Sequence, residues 1–153
     1  AAIRALLARQ FPPADRFEPN NDAGGQAYTL WGSQSRLKAT VDYWDNPTDV
    51  YRVHLRANEL IAISLTATAT TDVEFWQPQT ITLKGPHADR ARNLAARSTV
   101  ATAIKHLSYR ARQAGWYYIA INTSAPGFAP YTLQFTKTLA AGVPFAQGLR
   151  KAA

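Results

Sequence analysis

Apolar and polar side chains alternate along much of the chain between residues 35 and 137. In the run 60–68, Ile61, Ile63 and Leu65 point to one face, and the residues between them point to the other. This period of two, rich in β-branched and aromatic residues and interrupted by turn-forming residues, is typical of antiparallel strands. Strands are predicted at 35–43, 50–55, 60–68, 73–76, 80–83, 101–111, 115–122 and 131–137. About eight such strands predict an all-β fold, an antiparallel jelly-roll-like sandwich.

Segments without alternation separate this region from its flanks. Residues 1–10 place three aliphatic side chains on one helical face before two prolines, which predicts a short N-terminal helix. Residues 84–100 predict a long basic connection with one helical turn around 90–97. These segments predict a helical, Pro-rich linker from an upstream domain at 1–14, a sandwich at 15–139 and a flexible tail at 140–153.

Composition fits one folded domain that belongs to a longer protein. Hydrophobic residues make up 46% of the 153, with four Trp, seven Tyr and six Phe, which is enough to build a core. The absence of Cys excludes disulfides, thiol catalysis and Cys-based zinc sites. No apolar run approaches the roughly 20 residues of a membrane-spanning helix. The chain has no Met, and we expect it to be part of a longer polypeptide.

Charge is distributed unevenly along the chain. Residues 1–75 hold seven Lys/Arg and nine Asp/Glu, whereas residues 76–153 hold ten Lys/Arg and one acid. The basic half is either a solvated face or a surface for an acidic partner. Six of the ten acids fall within residues 15–49, where they are interleaved with Asn.

No catalytic constellation is present in the sequence. His54 and His106 lie in strand patterns and His87 lies in the basic connection. A Gly-x-Ser-x-Gly elbow, a phosphate-binding glycine loop and an HExxH pair are all missing. We therefore predict that this chain is not an enzyme and has no catalytic residues of its own.

Two Asx-rich turns are candidate calcium ligands. Calcium takes six to eight oxygens from carboxylates, amides and backbone carbonyls. Alternatively, Asn and Asp in turns bond their own backbone and need no ion. The candidate metal ligands are Glu18, Asn20, Asn21, Asp45, Asn46 and Asp49.

Basic and aromatic residues in the second half are candidate ligand-binding residues. Alternating strands must place about half of their aromatic rings in the core, so core packing competes with a stacking platform for carbohydrate or nucleic acid. The candidates are Arg90, Arg92, Arg97, Tyr109 and Trp116. We expect no nucleic-acid partner.

Four motifs in order resemble the bacterial pre-peptidase C-terminal domain. They are EPNND at 18–22, DVYRV at 49–53, GWYYIAI at 115–121 and YTL at 131–133. The resemblance covers roughly residues 15–137. It implies a jelly-roll-like sandwich, found on the C-terminal side of secreted proteases, including subtilisin-like serine proteases and metalloproteases, and similar to the collagen-binding domains of clostridial collagenases.

The resemblance also implies where calcium would bind. In collagenase-type members, acids of the EPN-containing linker and of the turn before the next strand hold the ion. Here Glu18, Asn20 and Asn21 match the linker, and Asp49 with Asp45 or Asn46 matches the turn. The acid that often stands two residues before the glutamate is Arg16 here. This departure removes a ligand, so we expect one calcium ion or a metal-free variant held by hydrogen bonds.

Two functions follow as expectations. The first is a non-catalytic accessory domain of a secreted, subtilisin-like protease, aiding stability, secretion or substrate docking. Its partner would be an upstream catalytic domain in the same chain. The second is a stand-alone extracellular module that binds a polysaccharide or protein matrix through the basic and aromatic face.

Overall fold

Two β-sheets packed face to face form the domain. The computed structural model describes residues 15–139. The helix predicted within 1–10 and the tail predicted at 140–153 lie outside the described residues.

Within residues 15–139, nine strands build the two sheets, so the prediction of an all-β sandwich is confirmed. In chain order they are β1 (Tyr28–Thr29), β2 (Gln34–Asp42), β3 (Thr48–Leu55), β4 (Glu59–Thr66), β5 (Thr71–Trp76), β6 (Leu94–Ser98), β7 (Ile104–Arg110), β8 (Gly115–Thr123) and β9 (Phe128–Leu139). A 3-10 helix at Gly24–Gln26 precedes β1, and a short α-helix, α1 (His87–Asn93), precedes β6.

The five-stranded sheet has the order β1-β3-β8-β5-β6 and the four-stranded sheet the order β2-β9-β4-β7. All pairs are antiparallel except β1 with β3, which run parallel. The parallel pair is short, and the backbone N–H of Leu30 extends it by donating to the carbonyl of Arg52 at 2.9 Å. The segment before β2 therefore occupies the outer edge of β3.

The main core lies between the sheets, where burial of apolar surface drives folding. Tyr51, Val53 and Leu55 of β3 are fully buried there, and so are Phe75 of β5 and Tyr117 of β8, whose rings stack 5.3 Å apart. The predicted inward side chains of β4 are confirmed in the same core.

A second apolar cluster covers the outer face of the five-stranded sheet. Val50, Trp76 and Ala120 point away from the main core, yet each is fully buried. The N-terminal segment contributes Ala23 and Ala27 to the cover, and the segment after β5 contributes Leu83. These strands are consequently apolar on both faces, as strands covered on both sides must be.

Asp22 fastens the two covering segments to each other. Its carboxylate accepts the hydroxyl of Thr82 at 2.6 Å and the backbone N–H of Leu83 at 2.8 Å. These bonds satisfy backbone and side-chain groups of a segment that has no strand partner. The cover is therefore held by hydrogen bonds as well as by apolar contact.

Two predictions for this region are wrong, one of a strand and one of a connection. Residues 80–83 form no strand, because Thr80 closes a turn onto the carbonyl of Gln77 and the groups that follow bond to Asp22. Conversely, β6 lies within the stretch interpreted as a connection. The predicted helical turn within that stretch is present as α1, but α1 ends at Asn93 and residues 94–98 pair with β5.

Candidate functional site

The candidate site forms where the linker, residues 15–20, meets the start of β3. The backbone N–H of Val50 donates to the carbonyl of Asn20 at 2.6 Å, and that of Thr40 donates to Asp15 at 3.3 Å. The ring of Phe17 inserts beneath the linker and packs edge-on to Tyr51, with 5.7 Å between the ring centroids. The linker is thus fixed to both sheets.

Three carboxyl groups converge at this junction. Asp15, Glu18 and Asp49 each place an oxygen within 4.8 Å of the other two. Asp49 is fully buried, and the two linker residues are half-buried. Like charges this close repel, so the group needs protons, hydrogen-bond donors or a cation to hold it together.

Two asparagine amides lie among the carboxylates and act as donors. Nδ2 of Asn46 donates to Glu18 and, at 2.9 Å, to Asp49. The amide of Asn20, oriented so that its hydrogen bonds are satisfied, places its nitrogen 2.9 Å from Oε2 of Glu18 and 3.2 Å from Oδ1 of Asp49. The N–H groups of these neutral amides therefore stabilise the carboxylates at the place where a cation could also do so.

Two tyrosines continue the network into the core. Tyr131 donates its hydroxyl to Oδ2 of Asp49 at 2.6 Å, and the hydroxyl of Tyr51 lies 2.5 Å from that of Tyr131. The pKa of Asp49 is raised to about 7, chiefly by burial; the charges of Glu18 and Asp15 add to the rise, and its hydrogen bonds with Tyr131 and Asn46 oppose it. Burial also raises the pKa of Tyr131 well above its ordinary value, so this hydroxyl stays protonated and remains a donor.

The residues at the junction fit a hard cation. Carboxylate and amide oxygens are the ligands that calcium prefers. Two buried oxygens, Oδ2 of Asp42 and Oδ1 of Asn46, have no hydrogen-bond partner within residues 15–139. These residues exchange both backbone hydrogen bonds, so the orphaned oxygens belong to one tight turn beside the carboxylates. A cation would satisfy acceptors that the protein alone leaves unpaired.

The sequence-predicted ligands divide into two groups. Glu18, Asn20, Asn46 and Asp49 come together, as the family resemblance implied. Asn21 and Asp45 form no side-chain hydrogen bond to this cluster in the described part of the chain. Asp45 is exposed and Asn21 half-buried.

Sequence reasoning missed Asp15, Asp42 and Tyr131. The expectation that Arg16 costs the site a ligand needs a correction. Arg16 is exposed, and its guanidinium lies 4.5 Å from the ring centroid of Phe17, whereas Asp15 supplies the third carboxylate. The available signal was that Asp15 begins the run of six acids.

The predicted basic and aromatic residues do not form one face. Arg90 is committed to the fold: it donates to the carbonyl of Leu83 at 2.5 Å and lies 5.0 Å from the ring centroid of Trp76. Tyr109 points inward, 5.5 Å from Phe75 between ring centroids. Trp116 lies on the other sheet and packs edge-on to the exposed Trp31 at 5.5 Å.

The remaining predicted arginines are exposed. Arg92 pairs with Asp89 at 2.6 Å on α1, and Arg97 stands on the edge strand β6. The three histidines lie on separate elements, His54 on β3, His87 on α1 and His106 on β7. Among residues 15–139, no helix has the length and apolar character needed to cross a membrane.

Solved structures share this fold. The pre-peptidase C-terminal domain of the collagenase from Bacillus anthracis matches with a TM-score of 0.58 and 19% identity, over 76% of this chain and 100% of that chain. PliG from Aeromonas hydrophila, a periplasmic lysozyme inhibitor of g-type lysozyme, matches with a TM-score of 0.58 and 11% identity, over 73% and 96%. No family model matches the sequence, and no curated protein matches it at a significant level. The fold resemblance indicated by the four motifs is confirmed.

Proposed function

We propose that this chain is a non-catalytic accessory domain of a secreted, subtilisin-like protease, placed on the C-terminal side of the catalytic domain. The observation that carries the proposal is the linker bound to the sandwich through Asp15, Glu18 and Asp49, on the fold of a pre-peptidase C-terminal domain. A flexible tether would leave the domain free to tumble. A linker held at several points gives it one orientation relative to whatever precedes it, and so supports stability, secretion and substrate docking.

The accessory role is tested on the complete polypeptide in which these residues occur, produced with and without residues 15–139. We expect casein hydrolysis by both forms, with less active enzyme exported and a shorter half-life at raised temperature for the shortened form. The 153-residue chain alone should hydrolyse neither casein nor ester substrates. Hydrolysis by the isolated chain, or a complete polypeptide that cleaves no protein, would overturn the proposal.

Calcium is the cofactor we propose for the linker site. Asp15, Glu18 and Asp49 would hold it, with the side-chain oxygen of Asn46 turned toward the ion. Calcium bound there would neutralise the converging carboxylates and stiffen the linker. The ion is structural in this proposal, and one ion suffices for the oxygens that the junction offers.

Thermal unfolding with calcium and with chelator tests this site. A ligand that binds only the folded state stabilises it by about 2.7 kcal/mol at 100 times its Kd. For a domain of this size, that corresponds to a rise in Tm on the order of 10 °C. We expect such a rise for the unmodified chain, its loss in Asp49→Ala, and its retention in Asp45→Ala, which removes an exposed acid from the same turn. Equal Tm values with calcium and chelator would show that hydrogen bonds alone hold the linker.

A further inference from the structure

The outer face of the four-stranded sheet is open, unlike that of its partner sheet. Its outward side chains come from β2, β9, β4 and β7, and most are exposed. Three shallow depressions lie across this sheet, with volumes of about 630, 490 and 290 Å³. Gln134 lines two of them, so they adjoin each other on one face.

Strand register sets polar side chains in rows across this face. In one row Arg36 stands opposite Gln134, which stands opposite Ser64, which stands opposite His106. The adjacent row begins with Lys38 and continues through two threonines. Strands about 4.8 Å apart make each row roughly 14 Å wide. Hydroxyls and amides, which both donate and accept hydrogen bonds, thus fill the middle of the face.

Positive charge lines the rim of this face, and the two acids on its strands, Asp42 and Glu59, stand at strand ends and are buried or half-buried. The side chains of Arg36 and Lys38 on β2 form no ion pair or hydrogen bond with any other residue of the range 15–139, and the side chain of Arg110 on β7 donates only to the carbonyl of Asn58, at 3.0 Å. None of residues 34–40, 60–66, 104–110 and 130–138 is acidic. Asp15, which borders the largest depression, is drawn into the linker site. The face therefore attracts anions over its whole width.

We propose that this face binds a linear anionic polysaccharide, one that carries carboxylate or sulfate groups. The inference rests on the proposed accessory role and specifies what the domain docks to. Arginine pairs with carboxylate or sulfate through two parallel hydrogen bonds, and the central hydroxyls and amides match the hydroxyls of a sugar chain. Within residues 34–40, 60–66, 104–110 and 130–138, no outward side chain carries a phenyl, phenol or indole ring. Phe128, at the start of β9, places one partly exposed ring at the end of the face, short of the row of rings on which single-stranded nucleic acids stack.

Affinity electrophoresis and calorimetry of the full chain with polygalacturonate and with heparin test the proposal. We expect saturable binding to at least one of these polymers that weakens as salt is added, since exposed charges are screened. The variant Arg36→Gln/Lys38→Gln should weaken binding at least tenfold. The matched control, Arg92→Gln/Arg97→Gln, removes the same charge from α1 and β6 and should change affinity less than twofold.

Several outcomes would overturn the proposal. One is that both double variants weaken polysaccharide binding equally. The others are binding to neutral dextran as tight as to the charged polymers, tighter binding to single-stranded DNA than to either polysaccharide, and no binding to either polysaccharide. Neither double variant touches the linker carboxylates, so the calcium response should persist in both. Failure of polysaccharide binding with an intact calcium response would therefore refute the ligand and leave the accessory role standing.

Discussion

Replacing Asp49 by Asn should stabilise the calcium-free domain above pH 7 and remove most of its loss of stability between pH 4 and pH 8. The pKa of this carboxyl is about 7 in the folded domain and about 3.9 in an unfolded chain. Since folding raises the pKa, the folded state favours the protonated form. That contribution is complete below about pH 4 and is lost as the pH rises through 7. Roughly three pKa units correspond to about 4 kcal/mol.

Urea unfolding in chelator at a series of pH values measures this effect. The free energy of unfolding of Asp49→Asn, minus that of the unmodified chain, should rise with pH by about 4 kcal/mol between pH 4 and pH 8. Asn preserves the shape and the acceptor for Tyr131, but it sets its own amide N–H groups against the donors Asn46 and Asn20. That cost is independent of pH, so the change of the difference with pH reports the charge. Asp45→Asn, the same change at an exposed position, should follow the unmodified chain. If the curves for Asp49→Asn and the unmodified chain run parallel, Asp49 is not the titrating group.

Calcium should reverse the sign of this comparison. A cation requires the ionised carboxylate, so protons and calcium compete for the cluster. The calcium-induced rise in Tm should be larger at pH 8 than at pH 5 for the unmodified chain. Together, the two results would show that the Asp49 carboxylate destabilises the calcium-free domain and stabilises the calcium-bound one.

Trp76→Ala should destabilise the domain by about 3–5 kcal/mol, the usual cost of removing a buried large aromatic side chain. Trp76 is fully buried, although it lies on the outer face of its sheet. Its ring supports both the cover provided by Leu83 and the guanidinium of Arg90. Loss of the ring should therefore also loosen the segment between β5 and β6.

Trp31→Ala is the matched control, because the same ring is removed from a side chain that is 74% exposed. We expect a change within about 0.5 kcal/mol. Chemical denaturation gives both values, and limited proteolysis reports cleavage within residues 77–93. If Trp76→Ala destabilises the domain as little as Trp31→Ala does, the outer cluster contributes nothing to folding.

Alternation predicted the strands wherever one face meets the core and the other meets water. It located β4. In β7, Lys105 shares the inward face with Leu107, and its ammonium donates to two backbone carbonyls, those of Ala69 and Thr102. Alternation failed for β6, because its sequence LAARS carries no apolar-polar pattern and its partner is chosen by tertiary packing. It also misplaced residues 80–83, whose β-prone side chains are held by Asp22.

The sequence predicted that two turns form the site, but it did not predict how their side chains are arranged. The family resemblance, and not the spacing of the acids, implied that Glu18 and Asp49 lie together. Which linker carboxylate joins Glu18 and Asp49 depends on how the backbone enters, and Asp15 is the one that does so. Likewise, the sequence could not tell that Tyr109 and Trp116 belong to different sheets.

The parallel pairing of β1 with β3 gives residues 20–30 a protective role against aggregation. The edge of β3 would otherwise present unpaired backbone groups, and a bare edge strand is a template for pairing with another chain. The backbone carbonyl of Asn20, the two-residue β1 and the N–H of Leu30 occupy that edge in turn. A proteolytic cut within residues 15–30 would release this cover of β3 as well as the linker. The integrity of the junction and the solubility of the domain therefore depend on the same short stretch of chain.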